Sequence, residues 1–111
     1  MVNAKRFPRG DVVLVNLAPT RGSEIRKTRP CVVISPDELN DHVSTCSVAP
    51  MKTSGHANPF RVSCRFKGKN GSIVLDQIRT IDRERIVRLL GRLPETILGS
   101  VLVVLQEMFS R

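Results

Sequence analysis

Aromatic side chains are scarce in this chain, with four Phe, no Tyr and no Trp among 111 residues. Stacking on aromatic platforms is therefore excluded as a main source of affinity for any nucleic acid, and each Phe is more at home in a core. Cysteine is sparse too. Cys31, Cys46 and Cys64 are odd in number, far apart and set in apolar stretches, which argues against a disulfide framework. With no CxxC pair and no nearby His they do not make a zinc site, and a reducing, cytoplasmic setting fits them as core residues. Only His42 and His56 are available for imidazole chemistry, and neither stands in a tight constellation. No apolar run is long enough to span a membrane, since Ile97 to Leu105 is short and interrupted by Gly99-Ser100. The basic start, Met1 to Arg6, leads into Phe7-Pro8-Arg9-Gly10 and not into an apolar signal core, so secretion is not expected. Acidic residues are also few. Against 10 Asp and Glu stand 18 Lys and Arg, a net charge of +8 that favours a polyanionic partner. Charge alone leaves RNA, DNA, an anionic membrane and an acidic protein open.

What is present is ordinary globular material, 41% hydrophobic and 25% charged, sized for one domain over 1–111. Asp11 to Leu17 reads as a buried strand, and Thr20 to Thr28 as a basic surface loop. Arg29-Pro30 opens a second strand, where a missing backbone donor costs little. Ser35-Pro36-Asp37-Glu38 predicts a short helix with Ser35 as its cap, ending near Asn40-Asp41. Short β-rich runs follow at Thr45 to Ala49, Phe60 to Phe66 and Ser72 to Leu75, and their spacing predicts a small barrel. The Asn70-Gly71 pair predicts a type I′ hairpin turn. Asp82 is placed to cap a helical turn through Arg85, with a strand over Ile86 to Leu90 ended by Gly91. Pro94-Glu95 begins a helix that is apolar on nearly every side, which a small barrel cannot surround; part of it is expected to pack on a second subunit.

Cleaving RNA without a metal requires a base for the 2′-hydroxyl, an acid for the leaving 5′-oxygen and a cation for the phosphorane. The blocks that carry such groups are Arg9 to Val13, Pro19 to Glu24, Arg29 to Pro36, Val48 to Met51 with Pro59-Phe60, and Leu75 to Asp82. In this order and spacing they resemble the MazF/PemK toxins of bacterial toxin-antitoxin pairs over nearly the whole chain. The resemblance implies an α+β, mainly β fold: a small SH3-like barrel (MazF/CcdB-like) with short helices and an apolar C-terminal helix. It further implies a homodimer that cleaves single-stranded RNA, the messenger class included, at short sequences, with no cofactor and no metal. A MazE-like antitoxin with an acidic tail would cover the basic loop.

Residue by residue, Arg29 matches the family's arginine ahead of the second strand and is implied to stabilise the phosphorane and serve the leaving group. A rim cation or a carboxylate partner is its alternative role. Glu24 is implied as base or positioning group, and Asp76 as base or as an acceptor for backbone donors of the following turn. Many relatives carry adjacent hydroxyls after the proline of the fourth block, Pro50; here Lys52 and Thr53 stand there. If the functional hydroxyl aligns with Thr53, activity survives; if with position 52, a cation has replaced it and turnover is attenuated. The RNA track implied includes Arg21, Arg26, Lys27, Lys52, Ser54, His56, Phe60, Arg61 and Arg79, with Arg79 alternatively paired to Asp76 or Asp82. The same fold also serves toxins that poison DNA gyrase without cutting RNA, and a non-cleaving RNA binder is a further alternative.

Overall fold

The computed structural model describes residues 6–25, 27–53 and 58–111. Its elements are β1 (Asp11–Asn16), β2 (Thr28–Val33), α1 (Asp37–Asn40), β3 (Thr45–Lys52), β4 (Arg61–Phe66) and β5 (Lys69–Val74). A 3-10 turn at Leu75–Gln77, β6 (Arg79–Asp82), a second 3-10 turn at Arg83–Arg85, β7 (Ile86–Arg92) and α2 (Glu95–Phe109) complete it. The strands form one sheet in the order β4-β5-β3-β2-β1-β7, with β6 joined to β3. β3 is where the sheet branches and curls. Thr45 to Val48 pair with β6, while Met51 and Lys52, farther along the same strand, pair with β5. The result is a mainly β, half-barrel architecture with a C-terminal helix, as the sequence predicts.

Both faces of the sheet are covered, which explains why β1 reads as a continuous apolar run and not as an alternation. Val13, Val15, Cys31, Val33 and Val48 bury on one face with Phe7, Leu17 and Ile25. Val12, Val32, Ala49 and Ile73 bury on the other, against Val101 of α2. Burial pushes the Cys31 thiol up to about 12, so it stays protonated and inert in the core. Helix α2 buries Leu98 and Val101 but leaves Val103 and Phe109 on the surface, as a helix with too little polar face must.

Two sequence expectations are corrected here. The hairpin turn between β4 and β5 is Lys67-Gly68, both at positive φ (49° and 78°), and Asn70 and Gly71 lie inside β5 opposite Arg65 and Cys64. Local preference loses to register. A turn at Asn70-Gly71 would set Gly68 opposite Ile73, whereas the observed pairing puts Val62 there and buries Ile73 completely. Ser35, expected to cap α1, makes no cap; Pro36 occupies the cap position without a side-chain bond. The Ser35 hydroxyl instead donates to Asn40 Oδ1 at 2.6 Å and accepts from the Ser47 amide at 3.0 Å, a buried network that fastens α1 to β3. The Asp82 cap is observed, accepting from the Glu84 amide at 2.9 Å.

Gly71 is needed for a different reason from a turn. A Cβ there would stand 2.6 Å from the Lys52 carbonyl oxygen, because β5 crosses β3 closely at this point. Gly71→Ala is expected to force the strands apart and cost roughly 1–3 kcal/mol. A urea titration checks this, and an unchanged midpoint would show that the crossing relaxes without cost.

Candidate active site

Six of the residues singled out by sequence, Arg29, Lys52 and Thr53 in one group and Glu24, Asp76 and Arg79 in another, gather at two cavities that share the end of β3. The first is a groove of about 450 Å³. Arg29 and Pro30 at the start of β2 face it, as do Met51, Lys52 and Thr53 at the end of β3. Arg29 is placed by the β1–β2 ladder, where it lies opposite Val15, and is half-buried like Lys52; Thr53 is exposed. The remaining wall is the β4–β5 hairpin with Leu90. No carboxylate lines the groove among the described residues. Arg29, Lys52, Lys67 and Lys69 therefore give it a field of one sign, suited to a phosphate chain.

The second cavity, about 600 Å³, holds the acidic candidates Glu24 and Asp76 together with Arg79 and Gln77. Pro50 lines this cavity while its neighbour Met51 lines the groove, so the β3 end stands between a cationic and an acidic site. Glu24 accepts from the Arg21 amide and its own amide donates back to the Arg21 carbonyl, closing the loop turn on itself. Buried Ile25 anchors that loop in the core. Gln77 completes the attachment: its Oε1 accepts from the Ile25 amide at 2.8 Å and its Nε2 donates to the Ser23 carbonyl at 3.4 Å. Gln77 was not singled out by sequence. It lies within the Leu75 to Asp82 block, but its partners are more than fifty positions away, and nothing local announces them.

Arg61 donates to both oxygens of Asp76, Nε to Oδ1 and Nη2 to Oδ2, each at 3.1 Å. These hydrogen bonds hold the Asp76 carboxyl below its ordinary range, against a smaller opposing effect of burial. A general base works best with a pKa near the operating pH, so this pairing makes Asp76 a weak proton acceptor and a well-fixed anion. Its contribution to stability has a definite sign. A depressed carboxyl stabilises the fold above its ordinary pKa, near 3.9, and the contribution is lost as pH falls through the folded value. The stability advantage of the wild-type chain over Asp76→Asn is thus expected to be constant near neutrality and to shrink below about pH 5. Denaturation midpoints across that range measure it, and a pH-independent difference would contradict the assignment.

Arg79 pairs with neither aspartate proposed for it; its Nη1 donates to the Leu17 carbonyl at 3.2 Å, bracing β6 against the end of β1. Arg21 and Lys27 are exposed on the β1–β2 loop, and Phe60 is exposed ahead of β4, all three outside the two cavity linings. Arg26, Ser54 and His56 lie outside the described residues. Among the described residues no three His, Cys, Asp or Glu side chains cluster as a metal site requires.

This geometry can be set beside known proteins. Residues 8–109 match the family model described as PemK-like, MazF-like toxin of type II toxin-antitoxin system. The chain is 35% identical over 72 residues to the endoribonuclease toxin MazF of Escherichia coli K12, a match spanning 65% of each chain. It is 37% identical over 100 residues to endoribonuclease PemK of Escherichia coli, covering 85% of this chain and 75% of PemK. Its fold matches the crystal structure of MazF from Deinococcus radiodurans at a TM-score of 0.82 and 26% identity, over 94% of this chain and 96% of that one. A MazE-MazF structure from the same organism matches at a TM-score of 0.76 and 22% identity, over 96% and 97%. The chain belongs to the PemK-like, MazF-like toxin family of type II toxin-antitoxin systems.

Proposed function

We propose that this chain, one toxin domain over residues 1–111, is a metal-independent, cytoplasmic endoribonuclease that cuts single-stranded mRNA at a short sequence. The observation that carries the reading is the meeting of Arg29, Lys52 and Thr53 on a groove lined by no described carboxylate, beside a cavity that holds Glu24 and Asp76. An RNA strand crossing the β3 end puts its scissile phosphate over the cationic groove and the preceding 2′-hydroxyl toward the acidic cavity. There the 2′-oxygen attacks phosphorus as its proton passes to a carboxylate. The bond from phosphorus to the 5′-oxygen breaks, leaving a 2′,3′-cyclic phosphate and a 5′-hydroxyl. Glu24 is the better acceptor, because Asp76 is engaged by Arg61. Arg29 neutralises the extra charge of the phosphorane and passes a proton to the leaving 5′-oxygen, which solvent then returns to the guanidine, and Thr53 orients the phosphate. Further RNA contacts are assigned to Arg21, Lys27, Phe60, Arg61 and Arg79, and on the sequence alone to Arg26, Ser54 and His56.

The partners follow from the same surfaces. Exposed Val103 and Phe109 on α2, and Val87 and Leu89 on edge strand β7, supply apolar area for a homodimer. A MazE-like antitoxin carrying an acidic segment competes with RNA for the basic loop and groove. No helix among the described residues is long and apolar enough to cross a membrane.

The test is incubation of the protein with a long single-stranded RNA in excess EDTA, with the fragment ends mapped. Discrete fragments ending in a 2′,3′-cyclic phosphate are expected. A folded protein that leaves the RNA intact would overturn the reading and direct attention to a non-cleaving toxin acting on DNA gyrase.

A further inference from the structure

The cationic groove is larger than a phosphate requires, and most of its far wall has no part in the proposed chemistry. Its volume, about 450 Å³, lies within the span of small-molecule sites, roughly 300–1,000 Å³. Its floor is apolar, built from Pro30, Met51, Cys64, Phe66 and Leu90. Phe66 packs close to Gly91, where an added Cβ would meet its ring at 3.1 Å, and Lys67 Nζ lies over the ring, 5.8 Å from its centroid. The rim is cationic on the hairpin side as well, through exposed Lys67 and Lys69. Asn70 supplies the one side-chain amide of the lining. Its Oδ1 accepts from Arg65 Nη1 at 3.1 Å, which sets the amide's orientation and leaves its two N–H groups as donors.

We infer that this groove is a base-selecting subsite: it takes one unstacked RNA base beside the scissile phosphate, with Asn70 reading an acceptor on the base edge and Lys67 and Lys69 holding the next phosphates. The inference rests on the endoribonuclease reading and deepens it. Three features select a nucleotide as occupant. An apolar lining of Pro30, Met51, Cys64, Phe66 and Leu90 accepts an unpaired base by its face. Cations flank that floor on both sides, at Arg29 and Lys52 and again at Lys67 and Lys69, matching a strand whose phosphates precede and follow each base. A fixed donor pair at the rim discriminates among bases by acceptor position, which phosphate contacts cannot do.

The experiment uses the wild-type chain, Asn70→Ala and the pair Lys67→Ala/Lys69→Ala on a randomised single-stranded RNA pool, with every cut position mapped. Asn70→Ala is expected to relax the base preference at one position flanking the cut by about tenfold while cutting at relaxed sites continues. The lysine pair is expected to weaken binding of all sequences alike and to reduce the salt dependence by about one unit per lysine. Superimposable preference profiles for wild type and Asn70→Ala would overturn the subsite. So would a lysine pair that weakens an acidic peptide but leaves RNA binding unchanged, which would make the groove a protein-docking surface. If the wild-type chain cuts no RNA, the pool is instead selected by binding. A base preference that shifts with Asn70→Ala then upholds the subsite although the nuclease reading has failed, and a preference that does not shift, or none at all, overturns the subsite as well.

Discussion

Arg29→Ala is expected to slow RNA cleavage by roughly 10²–10³-fold while leaving the fold in place, the loss that follows removal of one preorganised donor from a developing oxyanion. Arg29 sits half-buried at the start of β2, opposite Val15 in the ladder, so its backbone is held whatever side chain it carries. Pro30 follows with no backbone donor to lose. The functional cost should therefore be much larger than the structural one. Arg29→Lys separates charge from shape: it keeps a cation but not the planar donor fork that spans two phosphate oxygens. Partial recovery, of the order of tenfold over the alanine variant, is expected if charge and fork both contribute. Single-turnover cleavage at fixed salt, with denaturation midpoints alongside, reads both effects. Alanine-variant rates within a few-fold of wild type would reassign Arg29 to the rim.

How much of this was legible beforehand depends on how far apart the interacting residues lie. The strand over Asp11 to Leu17, the Asp82 cap and the helix opening at Pro94-Glu95 are set by neighbours within a few positions, and all appear where the sequence puts them. The hairpin turn was missed because Asn70-Gly71 carries the stronger local preference, while the register is decided by Ile73 meeting Val62 across the strands. Strand β6 is not marked out for a related reason: Arg79 to Asp82 is only four residues long, two of them charged, and is strand because β3 offers it an edge. At the site, the ordered blocks point to Arg29, Glu24 and Asp76 as candidates. They did not show that Arg29 and Lys52 occupy one cavity and Glu24 and Asp76 another, that Arg61 holds Asp76 across fifteen positions, or that Gln77 ties down the Glu24 loop. Such bonds belong to tertiary structure, and single-sequence patterns carry no trace of them.

Lys52→Glu is expected to abolish measurable cleavage at low salt, a loss of at least about 100-fold, because it sets an anion where a phosphate must sit. Position 52 is the one place where this chain puts an ammonium in a neighbourhood expected to carry a hydroxyl, so its role decides how active the protein is. Lys52 shares the groove with Arg29, and Thr53 also lines it, which means that a hydroxyl is still present beside the cation. On this geometry Lys52 acts as an added phosphate clamp. Lys52→Thr should then raise KM, reduce the salt dependence by about one unit and leave kcat within a few-fold, the signature of an interaction made equally in ground and transition states. A higher kcat in Lys52→Thr would mean the reverse: the ammonium displaces the phosphate from Thr53 and attenuates the enzyme. Lys52→Glu and Lys52→Thr together separate these cases. Repulsion by glutamate is large whichever role Lys52 has, while the threonine variant alone reports whether its removal helps or harms the chemical step.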